Sequence, residues 1–328
     1  YKLTGRHLLT FNAAYMTKAP SLRNAFPNAR LNNFIFDGLE SETISSADLS
    51  YVIRAPKLKA RITGYYSKIQ DATETSFFYA EGAFEEAFGD GGDAFVAELV
   101  TGIDKLQIGG ELGLEYQVTQ TIKATGAIAY GQYTYTSNPN VALNRDENAV
   151  NNIPTLVDYG SSKLKDYRVP GSPQQAYSLG LEYRDPKFWW IGANINHLAD
   201  NYLDVTALMR TDNFYKNPAD ISGYPFPEAT EERGRELLKQ EKFDSFTLVN
   251  LVGGKSWRIS KKNRNTIGFF ASINNVFDVT YKTGGFEQAR NANYRELNQD
   301  ITSGTPSFAP KYFYGYGRTY FINLYINL

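Results

Sequence analysis

Ten stretches of this chain put apolar residues at every second position, and several sustain the alternation for ten residues or more. The pattern is clearest in 105–117. There Leu106, Ile108, Leu112, Leu114 and Tyr116 share one face, and Gln107, Glu111, Glu115 and Gln117 the other. A strict period of two is the signature of a strand with one dry face and one wet face. Soluble strands usually stop at about five or six residues, whereas a length near ten is what a tilted strand needs to cross a bilayer. The other strands are predicted at 6–17, 41–54, 57–69, 122–136, 174–184, 188–202, 243–257, 266–281 and 311–328. In the last, Tyr320, Ile322, Leu324, Ile326 and Leu328 form an apolar row, with Phe321, Asn323, Tyr325 and Asn327 opposite.

The connections narrow the choice. Arg54 to Lys57, Val118 to Thr121 and Asp185 to Lys187 are tight turns, and Arg258 to Arg264 is only slightly longer. Long connections lie near 18–40, 70–99, 137–173, 203–242 and 282–310, so short and long alternate strictly. Outer-membrane barrels show this arrangement, with short periplasmic turns and long external loops; a soluble sandwich has no reason for it. The ionic residues opposite the apolar row suit a wet lumen better than a packed core. Tyr116, Tyr183, Phe188, Trp189, Trp190 and Trp257 gather at the short-turn ends, as an interfacial girdle would.

Composition excludes more than it assigns. With no cysteine, neither disulfides nor thiolate metal sites can form. A net charge of -1 argues against a nucleic-acid partner. No run approaches the roughly 20 apolar residues of a membrane helix, and YKLTGRHLLT at the N-terminus lacks the features of a signal peptide. The 24 Tyr and 21 Phe, against 3 Trp and 2 Met, favour surfaces that are half dry and half wet. Besides the membrane barrel, a soluble tyrosine-rich β protein that binds glycans stays open. So does a free-standing ten-stranded barrel acting as a porin, adhesin or surface protease. His197 with Asp200 is the one pair an enzyme could use, and a lone pair in a strand is usually structural. No enzyme, cofactor or metal is expected.

Several segments, in order and at sensible spacing, resemble the barrel of TonB-dependent outer-membrane receptors. GYGRTYFINLYINL (315–328) is similar to that family's closing strand through Gly317, Arg318, Thr319 and Tyr320. ASINNVFDVTY (271–281) resembles its penultimate strand through Asn275, Val276, Phe277, Asp278 and Tyr281. YMTKAPSLRNAF (15–26) matches through Ala19, Pro20, Ser21, Leu22 and Arg23. LESETISSADLSY (39–51), YYSKIQDAT (65–73) and GGELGLEYQVT (109–119) follow. The loops look most like receptors of the Bacteroidota type. One departure is Leu328, where an aromatic residue is commoner.

The resemblance implies an all-β, transmembrane antiparallel barrel of 22 strands. About ten C-terminal strands lie here, in one domain over 1–328, with the plug domain outside this chain. It implies energised uptake of a large, scarce ligand such as a siderophore, glycan, peptide or cofactor, across the outer membrane of a Gram-negative bacterium. The implied partners are outer-membrane lipid and TonB–ExbB–ExbD, the latter reached through the plug, with a surface lipoprotein as a further candidate.

Among the loops, Tyr202, Asp204, Arg210 and Tyr215 at one connection, and Arg290, Asn291, Tyr294 and Arg295 at another, are candidate ligand contacts. Planar Tyr and forked Arg suit recognition of sugars, peptides or anionic chelates; packing between loops would explain them equally well. Arg54, Lys57, Lys59, Arg61, Glu111 and Glu115 are expected to line the lumen and face the plug. Asp90 and Asp93 in GDGGDAF lack EF-hand spacing. Thr230 is a plausible N-cap for a short surface helix in 229–243.

Overall fold

The computed structural model describes residues 1–26, 35–36, 39–80, 94–145, 156–217, 222–259, 265–289 and 293–327. Its strands, in chain order, are β1 (His7–Lys18), β2 (Glu42–Arg54), β3 (Leu58–Ala80), β4 (Ala94–Gln117), β5 (Ile122–Tyr135), β6 (Asn140–Arg145) and β7 (Leu156–Ser161). There follow β8 (Gln175–Arg184), β9 (Trp189–Ala199), β10 (Phe246–Arg258), β11 (Thr266–Asn274), β12 (Lys282–Phe286), β13 (Lys311–Tyr314) and β14 (Thr319–Asn327). Among the described residues three short α-helices lie in the connections: α1 (Leu22–Ala25), α2 (Glu231–Leu237) and α3 (Tyr294–Thr302). Thr230 caps α2 by accepting a hydrogen bond from the Arg233 amide at 3.2 Å, as the sequence predicts.

The main sheet runs β1-β2-β3-β4-β5-β8-β9-β10-β11-β14, every neighbour antiparallel. The hairpin of β6 and β7 hangs from the upper part of β4, and β12 with β13 forms a separate small sheet. Register carries a single apolar row across the strands. Ile53 faces Ala60, then Leu114, Gly126, Leu179, Ile195 and Val249 in successive strands. A second row passes from Ala193 through Leu251 and Ile273 to Tyr320. Because the side-chain period is two, one slipped register would turn a whole strand inside out; none does.

Among the described residues that face is left largely uncovered. Leu179 is 65% exposed and Leu324 79%. The molecule presents 19600 Å² of surface, against roughly 13,600 Å² expected for a compact chain of 36.9 kDa. Tyr177 and Tyr183 bracket Leu179 and Leu181 on β8, and their six-residue separation spans about 20 Å along the strand. Tyr116, Tyr183, Trp189 and Trp257 share the apolar face at the short-turn end, with the Tyr183 and Trp189 rings 5.1 Å apart. Trp190 departs from the expected girdle. It pairs with Arg184 on the polar face, under that guanidinium at 5.3 Å.

The polar face is wired strand to strand: Asn12 to Asp48 at 3.1 Å, Lys59 to Glu115 at 2.9 Å, and Tyr65 to Tyr133 at 2.7 Å. Glu182 takes Arg184 at 2.7 Å and Lys123 at 3.6 Å. The short turns abut one another. Gln117 donates its amide to Lys57, Arg184 to Thr121 and Ser256 to Phe188. Phe188, at φ 63, closes a three-residue hairpin loop in the left-handed position that such loops require.

Three elements differ from the sequence reading. The connection expected at 70–99 is largely strand, since β3 runs on to Ala80 and β4 begins at Ala94. There Val96, Ala97, Leu99 and Val100 are all buried, so both faces are dry and the alternation that marks a strand disappears. The register shifts just below, where Asp71 and Gly102 adopt positive φ. The strand expected at 266–281 stops at Asn274, and 311–328 splits at residues 315–318 around a polar corner built on Asn275. Among the described residues, β1 finds no strand partner but β2, and β14 none but β11.

Candidate functional site

Among the described residues, every buried apolar cluster sits at the long-loop end. The largest joins Ala72, Val96, Val100, Ile103 and Tyr135 of the strands to Leu164, Val205, Ala207, Leu208 and Ala289 of three connections. A second gathers Met209, Phe214, Phe226, Leu238 and Tyr294. Polar bonds lock the same connections together. Ser162 donates to the Ala207 carbonyl at 2.7 Å, Tyr167 to Leu238 at 2.9 Å, and Gln240 to both Arg168 and Leu203 at 2.9 Å. Arg210 is 2% exposed and forks onto Glu287, which also accepts the Thr206 amide at 3.0 Å. The loops thus fold into a cap with its own core.

Beside this core lies a cavity of about 660 Å³. One side is the upper edge of β3, Glu74 to Tyr79; another is formed by Asp204 to Ala207 and Phe286 to Ala289; Arg23 and Asn24 of α1 also reach it. Phe77, Phe78, Tyr79, Tyr135 and Phe286 make its walls largely aromatic, while Glu74, Glu98, Asp204 and Glu287 bring carboxylates. Glu98 is buried, and burial pushes its carboxyl above the ordinary range, although Ser76 at 2.7 Å and the Leu208 amide at 3.1 Å serve its oxygens. Glu74 is paired with Lys105. The enclosing protein, with Glu74 and Glu287 near by, pushes the Asp204 carboxyl up to about 6. Among the described residues no three such groups converge as metal ligands do.

Of the candidate loop contacts, Asp204 lines this cavity. Arg210 is committed to Glu287, to two backbone carbonyls, and to the Tyr167 ring at 5.0 Å. Tyr215 and the buried Tyr294 pack edge-to-face with Phe214, and Arg295 grips Glu228 at 2.6 Å over the Phe226 ring. Tyr202 is half-buried and bridges to Lys242. Arg290 and Asn291 lie outside the described residues, as do Asp90, Asp93 and Leu328. The cavity's other walls escaped sequence reading because Glu74, Glu98 and Glu287 carry no local motif. Their meeting depends on contacts more than a hundred residues apart, such as Glu98 with Leu208.

Of the expected lumen set, Arg54, Lys59, Arg61, Glu111 and Glu115 fall on the polar face. Arg54 and Lys59 are register partners, and Lys59 pairs with Glu115. Arg61 donates to Ser50 at 3.0 Å and, with Glu111, borders a second cavity of about 610 Å³ over Ala127, Ala129, Leu198 and Leu248. Lys57 sits in the β2–β3 turn.

A protein-family model described as TonB dependent receptor-like, beta-barrel, matches residues 1–276. No curated protein sequence matches the chain. Solved structures similar to it include the copper transporter OprC, 20% identical over 98% of this chain and 37% of that one, with a TM-score of 0.55. The ferric yersiniabactin uptake receptor FyuA from Yersinia pestis is 13% identical over 99% and 35%, with a TM-score of 0.54. The ferric-catecholate import receptor Fiu from E. coli K12 is 12% identical over 99% and 33%, at 0.52. The chain therefore spans about a third of the length of each, and at these identities the likeness is one of fold. The matched family is one of receptors and transporters. With its model covering most of the sequence and the ten-strand sheet lying on three such barrels, the chain belongs to the TonB-dependent receptor β-barrel family.

Proposed function

We propose that this chain forms one arc of the barrel wall of an outer-membrane transporter in a Gram-negative bacterium, taking up a large, scarce ligand with energy delivered through TonB. The observation that carries the reading is the apolar face, traced by two overlapping rows over nine strands from β2 to β14 and exposed at Leu114, Leu179, Ile195 and Tyr320. In water such a surface is an aggregation hazard; against lipid it is the normal outer face of a barrel. The two edges left unpaired among the described residues, and the third of each relative that the chain matches, support further strands and a plug in the assembled receptor. The wired polar face would then border the plug, and the cap would meet the ligand. A lipoprotein lid over the cap fits the same picture. The Bacteroidota subgroup rests on the resemblance of the loops alone.

Alkaline carbonate treatment of membranes tests the location: the intact protein should stay in the pellet until detergent is added. Release into the supernatant would favour the soluble glycan-binding alternative. Uptake assays in cells with and without TonB then test the energised step.

A further inference from the structure

The cavity beside the cap holds two charges that no described residue pairs. Glu287 is neutralised by Arg210, Glu74 by Lys105, and Glu98 is served by Ser76 and the Leu208 amide. Asp204, open to the cavity, has neither an ionic nor a hydrogen-bond partner for its carboxylate among the described residues. Arg23, on α1, lines the same space, is exposed, and pairs with no carboxylate among the described residues. Phe77, Phe78, Tyr79, Tyr135 and Phe286 line the same cavity. A volume near 660 Å³ lies within the ordinary range for small-molecule sites.

From this arrangement we propose that the cavity takes a short peptide, with the α-amine on Asp204, the carboxylate on Arg23 and the side chains against the aromatic wall. The proposal deepens the transporter reading and rests on it. A zwitterion answers both charges at once, whereas an anionic chelate would meet the Asp204 carboxylate unfavourably. Aromatic faces suit both apolar side chains and an ammonium group. Charge-assisted hydrogen bonds at each end would fix the peptide's direction. The raised Asp204 carboxyl fits as well. Glu74 on β3, Glu98 on β4 and Glu287 beyond β12 all oppose its ionisation, Lys105 alone favours it, and a ligand amine would supply a further counter-charge.

The test uses the intact outer-membrane protein in detergent micelles, with the tripeptide Ala-Tyr-Ala as calorimetric probe beside its N-acetylated and C-amidated forms. The free tripeptide should bind, and each cap should weaken it about tenfold, the size of one charge-assisted bond. Asp204→Asn should make binding indifferent to N-acetylation but not to C-amidation, and Arg23→Gln the reverse. Binding by wild type should weaken as pH falls through about 6, where Asp204 takes up its proton. Absence of binding at millimolar peptide, or capping effects that neither variant abolishes, would overturn the site. Because this measurement needs no energised membrane, it fails separately from the transporter reading. Coupled binding without TonB-dependent uptake of labelled tripeptide would defeat transport and leave the site standing.

Discussion

Asn275 shows how a few residues end a strand and aim the next. Its backbone sits at φ 50, a conformation asparagine tolerates better than most residues. Its side chain accepts the Val279 amide at 2.9 Å and donates to the carbonyls of Val279 at 2.8 Å and Tyr316 at 3.3 Å. Asp278 accepts the Arg318 amide at 2.7 Å, and a Cβ on Gly315 would come within 2.0 Å of the Tyr281 ring. Asn275→Ala should therefore cost about 1–3 kcal/mol, since the amide and carbonyl of Val279 and the carbonyl of Tyr316 all lose a partner. Gly315→Ala should cost at least as much through overpacking. Urea unfolding in micelles measures both. The residues of this corner stand out in the sequence by resemblance; their bonds, which cross some forty positions, do not.

Asp204 makes a prediction of another kind. Its carboxyl titrates near 6 in the folded protein, above the ordinary value for aspartate. The folded state thus favours the protonated form, and this contribution to stability is complete at low pH and fades as pH rises through about 6. Asp204→Asn should flatten the stability profile between about pH 4 and 6, as followed by thermal melts of the cap. An unchanged slope would mean that the residue titrates normally.

At the scale of elements, the fold divides into strands that need lipid and loops that pack as soluble protein does. The Arg210–Glu287 pair joins two connections across 77 positions and is almost dry. Removing one partner strands a buried charge, so Arg210→Met should destabilise the cap by about 3–5 kcal/mol. Pairing it with Glu287→Leu should recover most of the loss. Hydrogen exchange over 203–215 and 282–289 reads the effect, and the barrel strands should keep their protection. The ten alternating strands were legible because each has one wet face. The upper parts of β3 and β4 were not, because both of their faces are covered by loops. Hairpins β6–β7 and β12–β13, and the helix α3 capped by Asn293 at 3.0 Å, lie in connections with no sustained period, so only the capped helix α2 could be anticipated there.

For the whole molecule, adjacent residues on β9 give the sharpest contrast. Ile195 lies on the outer row and Asn194 on the wired face. Ile195→Arg should cost about 2–4 kcal/mol if the row meets the bilayer near its midplane, and Asn194→Arg much less. Refolding into lipid vesicles under urea measures the difference, and equal costs would contradict a membrane-facing row. The fold class was readable from periodicity and loop length, whereas the cavity was assembled from segments that no local pattern connects.

The interlocked cap has a kinetic consequence. Leu164, Leu208, Leu238 and Glu287 belong to three connections that share cores, carbonyls and one dry ion pair. None can swing away without breaking the hold of the others. The mouth of such a receptor would act as one latch with a single barrier. Departure of a trapped ligand would then follow one exponential, and a weakness introduced in any of the three connections would speed it alike.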